Sequence, residues 1–508
     1  MPHSVTFDSF RFEPTTGRLW SGDRELKLTL KAASVLGVLV GKAGELVTKE
    51  ALLAAAWPDT IVTDDSLVSC IQELRKALTD DSKNPRCIET RHRRGYRFIA
   101  TPAAARPHEI GGKPNVAVLP LENTSGDSGK DYLSDAITQE IITTLSKHRT
   151  LLVVARGPSF AFKGKRADIG EIGTSLGADF VVQGSVSAQG RRVRIRVQLI
   201  EVRSSEYVWA DQYDRELDDI LQLQDEISAT IASRIEPEVG SAERSRAARK
   251  SESALHAWDL FHLGMSHFYK ATATDNLEAQ KYFRRAIELD PALAQAHAWL
   301  SYAEVLEMIY FDARPDERRL SAAISTARKA IELDDRDAMT HFTCGRALLA
   351  GKDYQGAIAE LEAAVELNPN LAVAYCGLAD SLAYEGRFAE AIPNFEKAIQ
   401  LSPQDPQRWA YYSYRSLAHL LAGDFELAND WAQKAIRVPN SHYWPLAHRV
   451  SALGSMQRAG ELRGAVTELL QRKPGFSCSL ARERLFYIKD PGHIERYVSG
   501  LRGAGIPE

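Results

Sequence analysis

The chain has 508 residues, too many for a single hydrophobic core, and its 44% hydrophobic and 26% charged residues with a net charge of −4 are typical of globular protein. Its five cysteines form no CxxC pair, which argues against a disulfide framework or a zinc site and indicates a reducing compartment. The N-terminus lacks a signal-peptide core and no run approaches about 18 apolar residues, so we expect a cytoplasmic protein without a membrane partner.

Residues 1–102 are predicted to form a first domain of short strands and short helices. The segments FDSFRF and GDRELKL alternate apolar and polar residues, as half-buried strands do. The segments LTLKAASVLGVLV and VTKEALLAAAWP carry apolar residues at helical spacing, and Thr29 and Thr48 stand where N-cap residues are preferred.

A third helix is predicted over DDSLVSCIQELRKAL. One stripe of this helix is apolar at i, i+4, i+7 and i+11 and is expected to be buried: Leu67, Ile71, Leu74 and Leu78. The opposite face is polar and is expected to be exposed: Ser66, Ser69, Cys70, Gln72, Glu73, Arg75 and Lys76.

The segment IETRHRRGYRF, residues 88–98, puts four arginines and a histidine into eleven positions of a predicted strand hairpin. Residues 1–102 hold 15 Lys and Arg against 13 Asp and Glu, so positive charge is concentrated in this hairpin rather than spread over the domain. A polar helix that can enter the major groove, next to a basic hairpin that can reach phosphates, makes a DNA-binding surface. The alternative is a solvated turn without a partner.

After a linker at 103–114 that is rich in Pro, Gly and Ala, residues 115–237 are predicted to form an α/β domain. The pattern predicts strands at VAVLPL and LLVVAR, helices at DYLSDAITQEIITTLSK and around ADIGEIGTSLGA, and an antiparallel set from DFVVQGSVSAQG, RRVRIRVQLIEV and EYVWADQYDRE. The segment DDILQLQDEISATIASRI is predicted to close the domain as a helix, and residues 238–254 to form a helical linker.

From residue 255 to residue 508 the sequence is helical and repetitive. Alanines at equivalent positions of KAIEL-like segments are spaced by 44, 34, 34 and 37 residues: Ala286, Ala330, Ala364, Ala398 and Ala435. A period of about 34 residues is typical of the tetratricopeptide repeat, whose small residues let paired helices approach. The sequence therefore predicts a C-terminal α-solenoid.

The segments KLTLKAASVLGVLV, VTKEALLAAAWPD, DSLVSCIQELRKAL and IETRHRRGYRF, in this order, resemble the winged helix-turn-helix domain of OmpR/PhoB-type regulators, with the ToxR/CadC branch most similar. The resemblance implies that the third helix lies in the major groove and that the hairpin, as a wing, enters the next minor groove. It implies base-edge contacts by Ser69, Cys70, Gln72 and Glu73, phosphate contacts by Ser66, Arg75 and Lys76, and a basic wing of Arg91, Arg93, Arg94 and Arg97. The loop around Trp57, Pro58 and Asp59 would lie where such regulators contact RNA polymerase.

The segments NVAVLPLENTSGDSGKDYLSDAITQEIITTL, GTSLGADFVVQGSVSAQGRRVRIRVQLIEV and YVWADQYDRELDDILQLQDEI resemble the TolB amino-terminal-like domain, which accompanies tetratricopeptide arrays in bacterial regulators and some adenylate cyclases. The order of the three parts also resembles HilA-like activators. Compared with response regulators, we expect no phospho-acceptor receiver ahead of the winged helix. Compared with ToxR and CadC, we expect a short linker in place of a transmembrane helix.

Two overlapping strings in the middle segment look like catalytic motifs. GDSG (126–129) matches the nucleophile string of serine proteases, but the surrounding α/β pattern is not that of a double β-barrel. SGDSGKD departs from a phosphate loop at Thr124, where the first glycine belongs, and at Asp131, which replaces the Ser or Thr that binds magnesium. We therefore expect a polar loop here, and no catalytic residue, metal site or cofactor in the chain.

These observations predict a multidomain α/β and α protein with an N-terminal winged helix-turn-helix, an α/β middle domain and a C-terminal tetratricopeptide α-solenoid. The function they favour is a cytoplasmic transcriptional regulator that binds double-stranded DNA, alone or as a homodimer, and contacts RNA polymerase. Its repeats would bind a partner protein, a peptide or an effector. The alternative is a signalling scaffold of the cyclase-associated type that acts through protein–protein contacts.

Overall fold

The computed structural model describes residues 5–7, 10–14, 16–21, 24–57, 64–82, 85–91, 94–100, 103–104, 112–165, 167–216, 220–311, 313–402, 407–439 and 441–508. The chain divides into two compact units, Met1–Gly112 with Lys250–Leu255 and Lys113–Arg249 with His256–Glu508. Within the described ranges, no helix has the length and apolar character needed to cross a membrane.

In chain order the first unit contains β1 (Val5–Phe7), β2 (Phe10–Glu13), β3 (Arg18–Ser21), β4 (Arg24–Leu26), α1 (Leu30–Gly41), β5 (Leu46–Thr48), α2 (Lys49–Ala56), α3 (Asp64–Ala77), β6 (Ile88–Arg91), β7 (Gly95–Phe98) and β8 (Ala103–Ala104). Five strands form an antiparallel sheet in the order β4-β3-β2-β1-β8, and three form a second sheet in the order β5-β7-β6. The helices pack into one core with both sheets, in which Phe12, Leu36 and Leu74 are fully buried.

The helix starts predicted at Thr29 and Thr48 are confirmed. The hydroxyl of Thr29 accepts a hydrogen bond from the backbone N of Ala32, and that of Thr48 accepts one from the backbone N of Ala51, both at 3.2 Å. Each bond satisfies one of the backbone donors that a helix leaves free in its first turn.

Two predictions in this unit need correction, and one strand was missed. FDSFRF is not one strand, because Phe7 ends β1 and Phe10 begins β2, and these two residues lie opposite each other in an antiparallel pair. The strand β3 was not predicted. The first residues of the predicted linker, Ala103 and Ala104, form β8 and pair with β1, while residues 105–111 lie outside the described residues.

The second unit begins with β9 (Asn115–Val118), β10 (Glu122–Asn123), α4 (Asp131–Leu145), β11 (Leu152–Val153), α5 (Arg156–Phe160), α6 (Ile169–Leu176), β12 (Phe180–Gln189), β13 (Arg192–Glu201), β14 (Glu206–Glu216) and α7 (Ile220–Ala247). Its sheet has the order β11-β9-β12-β13-β14, and β10 also pairs with β12. β9 runs parallel to β11 and β12, whereas β12, β13 and β14 form the predicted antiparallel set. The predicted α/β character is confirmed.

The helix α7 crosses the domain boundary that we placed at residue 237. Proline favours a helix end because it lacks an N–H donor and clashes with the preceding turn, yet α7 continues through Pro237 to Ala247. Its apolar residues Ile227, Ile231 and Ile235 are fully buried in the core of the middle sheet, and the helix also packs against the first helix of the repeats. The segment 238–254 is therefore largely a continuation of α7 rather than a separate linker.

The rest of the second unit is helical: α8 (Ala257–Phe268), α9 (Ala273–Leu289), α10 (Ala294–Tyr310), α11 (Glu317–Leu333), α12 (Ala338–Ala350), α13 (Tyr354–Leu367), α14 (Ala372–Tyr384), α15 (Phe388–Leu401), α16 (Arg408–Ala422), α17 (Phe425–Ile436), α18 (Trp444–Ser455), α19 (Ala459–Arg472), α20 (Cys478–Arg484) and α21 (Pro491–Gly503). Consecutive helices pack as antiparallel pairs, and each pair packs on the next. The periodic alanines are fully buried at these contacts, as predicted: Ala286, Ala330, Ala364, Ala398 and Ala435.

Close helix approach explains the small residues of the repeat. A Cβ added to Gly345 on α12 would lie 2.6 Å from Cγ of Leu361 and 3.1 Å from the backbone oxygen of Ala357 on α13. Such distances leave no room for a larger side chain at position 345. The predicted α-solenoid is confirmed at this level of packing.

The C-terminal segment returns to the early repeats and ties them together. Arg484 is 6% exposed, and its Nη1 donates to the backbone oxygens of Met308 at 3.2 Å, Phe311 at 3.1 Å and Ala313, at the end of α10 and in the loop after it. The hydroxyl of Tyr354, at the start of α13, is hydrogen-bonded to the backbone of the same C-terminal segment. These contacts join α20 and the segment after it to the end of α10 and the start of α13.

Candidate nucleic-acid interface

The helix α3 has one buried and one exposed side. The predicted apolar stripe is confirmed, with 2% exposure or less for Leu67, Ile71, Leu74 and Leu78. The exposed side chains follow each other at intervals of one, three and four residues: Asp65, Val68, Ser69, Gln72 and Lys76. We call this set the outward stripe of α3. It is the surface that this helix can offer to a groove of DNA.

The expected place of Cys70 on the exposed face is wrong. Its side chain is 6% exposed and belongs to the core, because Cys70 comes three residues after Leu67 and four before Leu74 and so shares their buried stripe. Burial, together with the charge of Glu73, raises the pKa of this thiol above its ordinary value of 9.0. Cys70 is therefore a neutral packing residue.

Glu73 uses both carboxylate oxygens within the domain. Oε1 accepts a hydrogen bond from the backbone N of Thr29 at 2.6 Å, and Oε2 accepts one from its hydroxyl at 2.9 Å. The same hydroxyl caps α1, so Glu73 fixes α3 against the first turn of α1. This contact differs from the base-edge contact that the resemblance implied for Glu73.

Arg75 connects α3 with the wing. Its Nη2 donates to the backbone oxygen of Ile88 at 3.0 Å and to the hydroxyl of Thr90 at 2.8 Å, both on β6. The side chain is half-buried, as is that of Ser66, whereas Lys76 is exposed. The Arg75 contacts therefore join α3 directly to β6, the first strand of the hairpin.

An acidic residue neutralises part of the basic wing. Arg91 binds Glu89 through Nε and Nη2, both at 3.1 Å, and Nη1 of Arg97 lies 3.8 Å from the same carboxylate. Arg94 is exposed in the turn between the strands, and Arg93 lies outside the described residues. In the described part of the wing, the net positive charge that faces solvent is therefore smaller than the number of arginines indicates.

The glycine of the RRGYRF string is required by the sheet. Gly95 has φ +147°, and a Cβ at this position would lie 2.0 Å from the backbone oxygen of Val47 and 2.9 Å from Cα of Thr48 on β5. Only a residue without a side chain allows β5 to approach β7 so closely. Gly95 therefore determines where the wing is attached to the domain.

Sequence reasoning missed Asp80, which positions the start of the wing. Its side chain is buried, and its carboxylate accepts from the backbone N of Arg86 at 2.6 Å, of Cys87 at 3.1 Å and of Ile88 at 2.9 Å. Acidic residues are ordinary in a polar loop such as TDDSKN, so no signal in the sequence distinguishes Asp80 from its neighbour.

Sequence reasoning also missed Asp65 and Val68 on the outward stripe. Val68 is 37% exposed although it is apolar. Val68 and Asp65 come four and seven residues before Gln72, and this spacing puts all three on one face of a helix. Helical spacing could therefore have identified both residues. The assignment by residue type, apolar inside and polar outside, placed Cys70 outside and overlooked Val68.

The loop before α3 is described only at its first residue. Trp57 is half-buried at the end of α2, with Nζ of Lys31 5.6 Å from its ring centroid, and the same Nζ donates to the backbone oxygen of Ala56 at 2.7 Å. Pro58 and Asp59 lie outside the described residues. In the part of the chain that is described, no group of three or more His, Cys, Asp or Glu side chains is placed to hold a metal ion.

Family models match three parts of the chain. Residues 23–98 match the C-terminal domain of transcriptional regulatory proteins. Residues 112–230 match the second domain of HilA/YgeH-like transcriptional regulators. Residues 312–372 and 370–441 match tetratricopeptide repeats. The similarity of the middle domain to TolB stays a resemblance in the order of its segments.

Two curated proteins and one solved structure are similar to parts of the chain. A Rhizobium meliloti protein named "Putative adenylate cyclase 3" is 37% identical over 248 residues, which are 48% of this chain and 42% of that protein. The transcriptional regulator HilA of Salmonella typhimurium is 28% identical over 204 residues, 39% of this chain and 35% of that protein. The solved DNA-binding domain of E. coli CadC is 26% identical and covers 20% of this chain and 97% of that chain, with a TM-score of 0.19.

The chain thus spans less than half the length of these two curated relatives. At the level of its parts, it joins a winged-helix domain of the transcriptional regulatory protein family to a HilA-like second domain and an array of tetratricopeptide repeats.

Proposed function

We propose that this chain is a cytoplasmic transcriptional regulator that binds promoter DNA with α3 in the major groove and the β6–β7 hairpin as a wing on the adjacent minor groove. The observation that carries the proposal is the outward stripe of α3, a helix that Arg75 joins to the first strand of the wing. The major groove of B-DNA admits an α-helix, and side chains on such a stripe reach base edges and phosphates.

The outward stripe contains chemistry for reading bases. The amide of Gln72 can bond to adenine through two hydrogen bonds, and the exposed methyl groups of Val68 suit the methyl group of thymine. The hydroxyl of Ser69 can form a hydrogen bond with either base. Ser66 is half-buried on the same helix. We therefore propose an operator with A·T pairs beneath the middle of α3, between Val68 and Gln72.

The phosphate contacts are proposed for Lys76, Arg94 and Arg93. Lys76 and Arg94 are exposed, at the end of α3 and at the tip of the hairpin. Glu73 and Arg75, expected to contact bases and phosphates, bond to Thr29 and to Thr90, and we propose that their role is to hold α3 to α1 and to the wing. Arg91 and Arg97, which share Glu89, are proposed to support the wing and to turn to phosphates only if that pairing opens.

Salt dependence of DNA affinity tests this assignment. The full-length chain would be titrated against a selected DNA site between about 50 and 200 mM salt, as wild type, Lys76→Ala and Arg94→Ala. Each phosphate contact that is lost should weaken binding and reduce the slope of log K against log salt by about 0.9. The matched control is Arg463→Ala, an exposed arginine on α19, which should leave affinity and slope unchanged. Equal slopes for all four proteins would contradict the assignment.

We also propose partners for the loop before α3 and for the repeats. The loop that contains Trp57 and Asp59 is proposed to contact RNA polymerase, and the repeats to bind a partner or an effector. A homodimer would present two winged helices to half-sites about one helical turn apart. Pull-down of RNA polymerase by the wild type and by Trp57→Ala tests the polymerase contact. The mass of the full-length chain in solution tests the homodimer.

The second candidate is a signalling scaffold. It is favoured by the 37% identity, over 248 residues, with a protein named as an adenylate cyclase. We propose that the chain itself acts without catalysis: the GDSG string lies in the short connection between β10 and α4, where Oδ1 of Asp127 accepts from the backbone N of Gly129 at 2.9 Å. A scaffold would select no DNA motif and would not respond to Arg94→Ala.

A further inference from the structure

A cavity of about 1730 Å³ lies inside the second unit, between the inner faces of the repeat helices and α7. One wall comes from α7 and the end of β14, and we call it the α7 wall. The other comes from α8 to α16 and the segment at His442, and we call it the repeat wall. Ligand sites are typically concave, largely apolar and already formed, with a few placed polar groups.

Aromatic rings dominate the repeat wall. α10 contributes Trp299, Tyr302 and Tyr310, and α16 contributes Trp409 and Tyr414. Ring centroids of Trp299 and Tyr302 are 6.0 Å apart, and those of Tyr310 and Trp409 are also 6.0 Å apart. The hydroxyls of Tyr310 and Tyr414 lie 2.5 Å from each other. Such rings favour a flat, unsaturated ligand that can stack on them or meet their edges.

A buried cation lies in the middle of these rings. Arg346 on α12 lines the cavity and is 4% exposed; it donates to the carboxylate of Asp380 at 2.5 Å and to the hydroxyl of Tyr414 at 3.3 Å. Asp380 is fully buried behind the wall and does not line the cavity. A guanidinium has five N–H groups, which these two contacts do not exhaust. Arg346 can therefore donate to a ligand as well.

Charge differs between the two walls. Among the described residues that line the cavity, the repeat wall has the cations Arg346 and Lys397 and no carboxylate. The α7 wall, counted over the same described residues, carries five carboxylates against three arginines: Asp225, Glu226, Glu236, Glu238 and Glu243 with Arg215, Arg234 and Arg244. There Glu226 binds Arg215 at 3.1 Å and Glu236 accepts from the hydroxyl of Thr150 at 3.0 Å. An anion is therefore favoured at the repeat wall, beside the aromatic rings.

We infer that this cavity binds a small planar aromatic anion, with its ring system on the tryptophan and tyrosine side chains and its carboxylate or sulfonate group directed to Arg346 and Lys397. The wall is held in place before binding, since Phe311 lines the cavity and its backbone oxygen is bound by Arg484. A preformed wall lowers the ordering cost of binding. The inference does not rest on DNA binding, so each proposal can fail without the other.

Two fluorescent probes with the same rings test the inference on the full-length chain. 8-Anilinonaphthalene-1-sulfonate is an anion, and N-phenyl-1-naphthylamine is its neutral counterpart. We expect one saturable site per chain and a dissociation constant about tenfold lower for the anion. Emission of Trp299 and Trp409 should decrease as the anion binds, because both rings line the cavity.

Variants locate the site. Lys397 is exposed, so Lys397→Gln should fold normally. It should lower the affinity for the anion about threefold and leave the affinity for the neutral probe unchanged. Arg346→Gln should lower the affinity for the anion further. The melting curve of this variant shows whether the loss of affinity follows from unfolding. Val373→Trp fills the repeat wall and should remove the binding of both probes. The control Lys329→Gln, on an exposed part of α11, should change neither affinity.

Three results would overturn the inference. These are several weak sites per chain, equal affinity for the charged and the neutral probe, or an anion affinity that Lys397→Gln and Val373→Trp leave unchanged in folded protein.

Discussion

Both carboxylate oxygens of Glu73 accept hydrogen bonds from Thr29, one from its backbone N at 2.6 Å and one from its hydroxyl at 2.9 Å. This pair joins α3 to the first turn of α1, and Arg75, two residues further on, joins α3 to the wing. Polar residues of α3 that were expected to contact DNA therefore determine how the helix is held. The residues that we propose to contact DNA from α3 are those of the outward stripe.

Glu73→Gln should destabilise the first unit by about 1 kcal/mol, because an amide nitrogen replaces one of the two acceptor oxygens. Hydrogen exchange at the backbone N of Thr29 and Ala32 should become faster, while the DNA bases preferred by the protein stay the same. Glu45→Gln, at an exposed position of the same unit, is the control. A changed base preference with unaltered exchange would show that Glu73 reads DNA instead.

Gly95→Ala should destabilise the first unit by about 3 kcal/mol or more, since the added Cβ meets the backbone of β5 in a strained conformation. Gly44→Ala is the matched control: Gly44 also has a positive φ, +81°, but a Cβ there meets nothing within 4 Å. Its cost should be about 1 kcal/mol. Thermal unfolding of both variants measures the difference, and equal costs would mean that the approach of β5 to β7 is unimportant.

The stability of the repeats should fall as His341 loses its proton. Its Nδ1 lies 2.6 Å from Oε2 of Glu360 and its Nε2 lies 3.0 Å from the backbone oxygen of Asp335, so both nitrogens face acceptors. The hydrogen bond to Glu360 raises the pKa of His341 above its ordinary value of 6.5.

A raised pKa in the folded state means that this stabilisation is complete below about pH 6.5 and is lost as pH rises through the pKa of folded His341. The difference in melting temperature between wild type and His341→Gln should therefore shrink from about pH 6 to pH 9. Glu360→Gln should give the same trend. A difference that grows with pH would contradict the protonated pair.

Arg484→Met should destabilise the repeats by about 2 to 4 kcal/mol, because it leaves the backbone oxygens of Met308, Phe311 and Ala313 without their charged donor. Hydrogen exchange should increase after α10. Arg482→Met, which removes a half-buried arginine bound to Glu495 and Glu508, is the control and should cost less than about 1 kcal/mol. Similar losses for both variants would show that the C-terminal segment does not fix the early repeats.

Periodic features were predictable from the sequence. The repeat alanines, such as Ala364 and Ala398, recur because each repeat faces the same neighbour, and all are fully buried. The helix starts at Thr29 and Thr48 were predictable because a cap is a local hydrogen bond.

Features that depend on how loops and separate elements fold together could not be predicted. Asp80 bonds to three backbone N–H groups that only the folded loop brings together, whereas the burial of Cys70 follows from its spacing to Leu67 and Leu74 and was predictable. The reversal between Phe7 and Phe10 keeps both rings inside, so hydrophobicity did not reveal it. α7 continues past Pro237 because its apolar residues pack on the middle sheet and on α8.

Selection of DNA sites from random duplexes by the full-length chain tests the central claim most directly, with wild type, Gln72→Lys and Val68→Ser in parallel. The account predicts an enriched motif with A·T pairs. Gln72→Lys should change the preferred base at one position from adenine towards guanine, and Val68→Ser should weaken the preference for thymine at another. Each change should alter the free energy of discrimination between bases by about 1–3 kcal/mol. No enriched motif, or one motif shared by all three proteins, would contradict the claim that the outward stripe of α3 reads DNA.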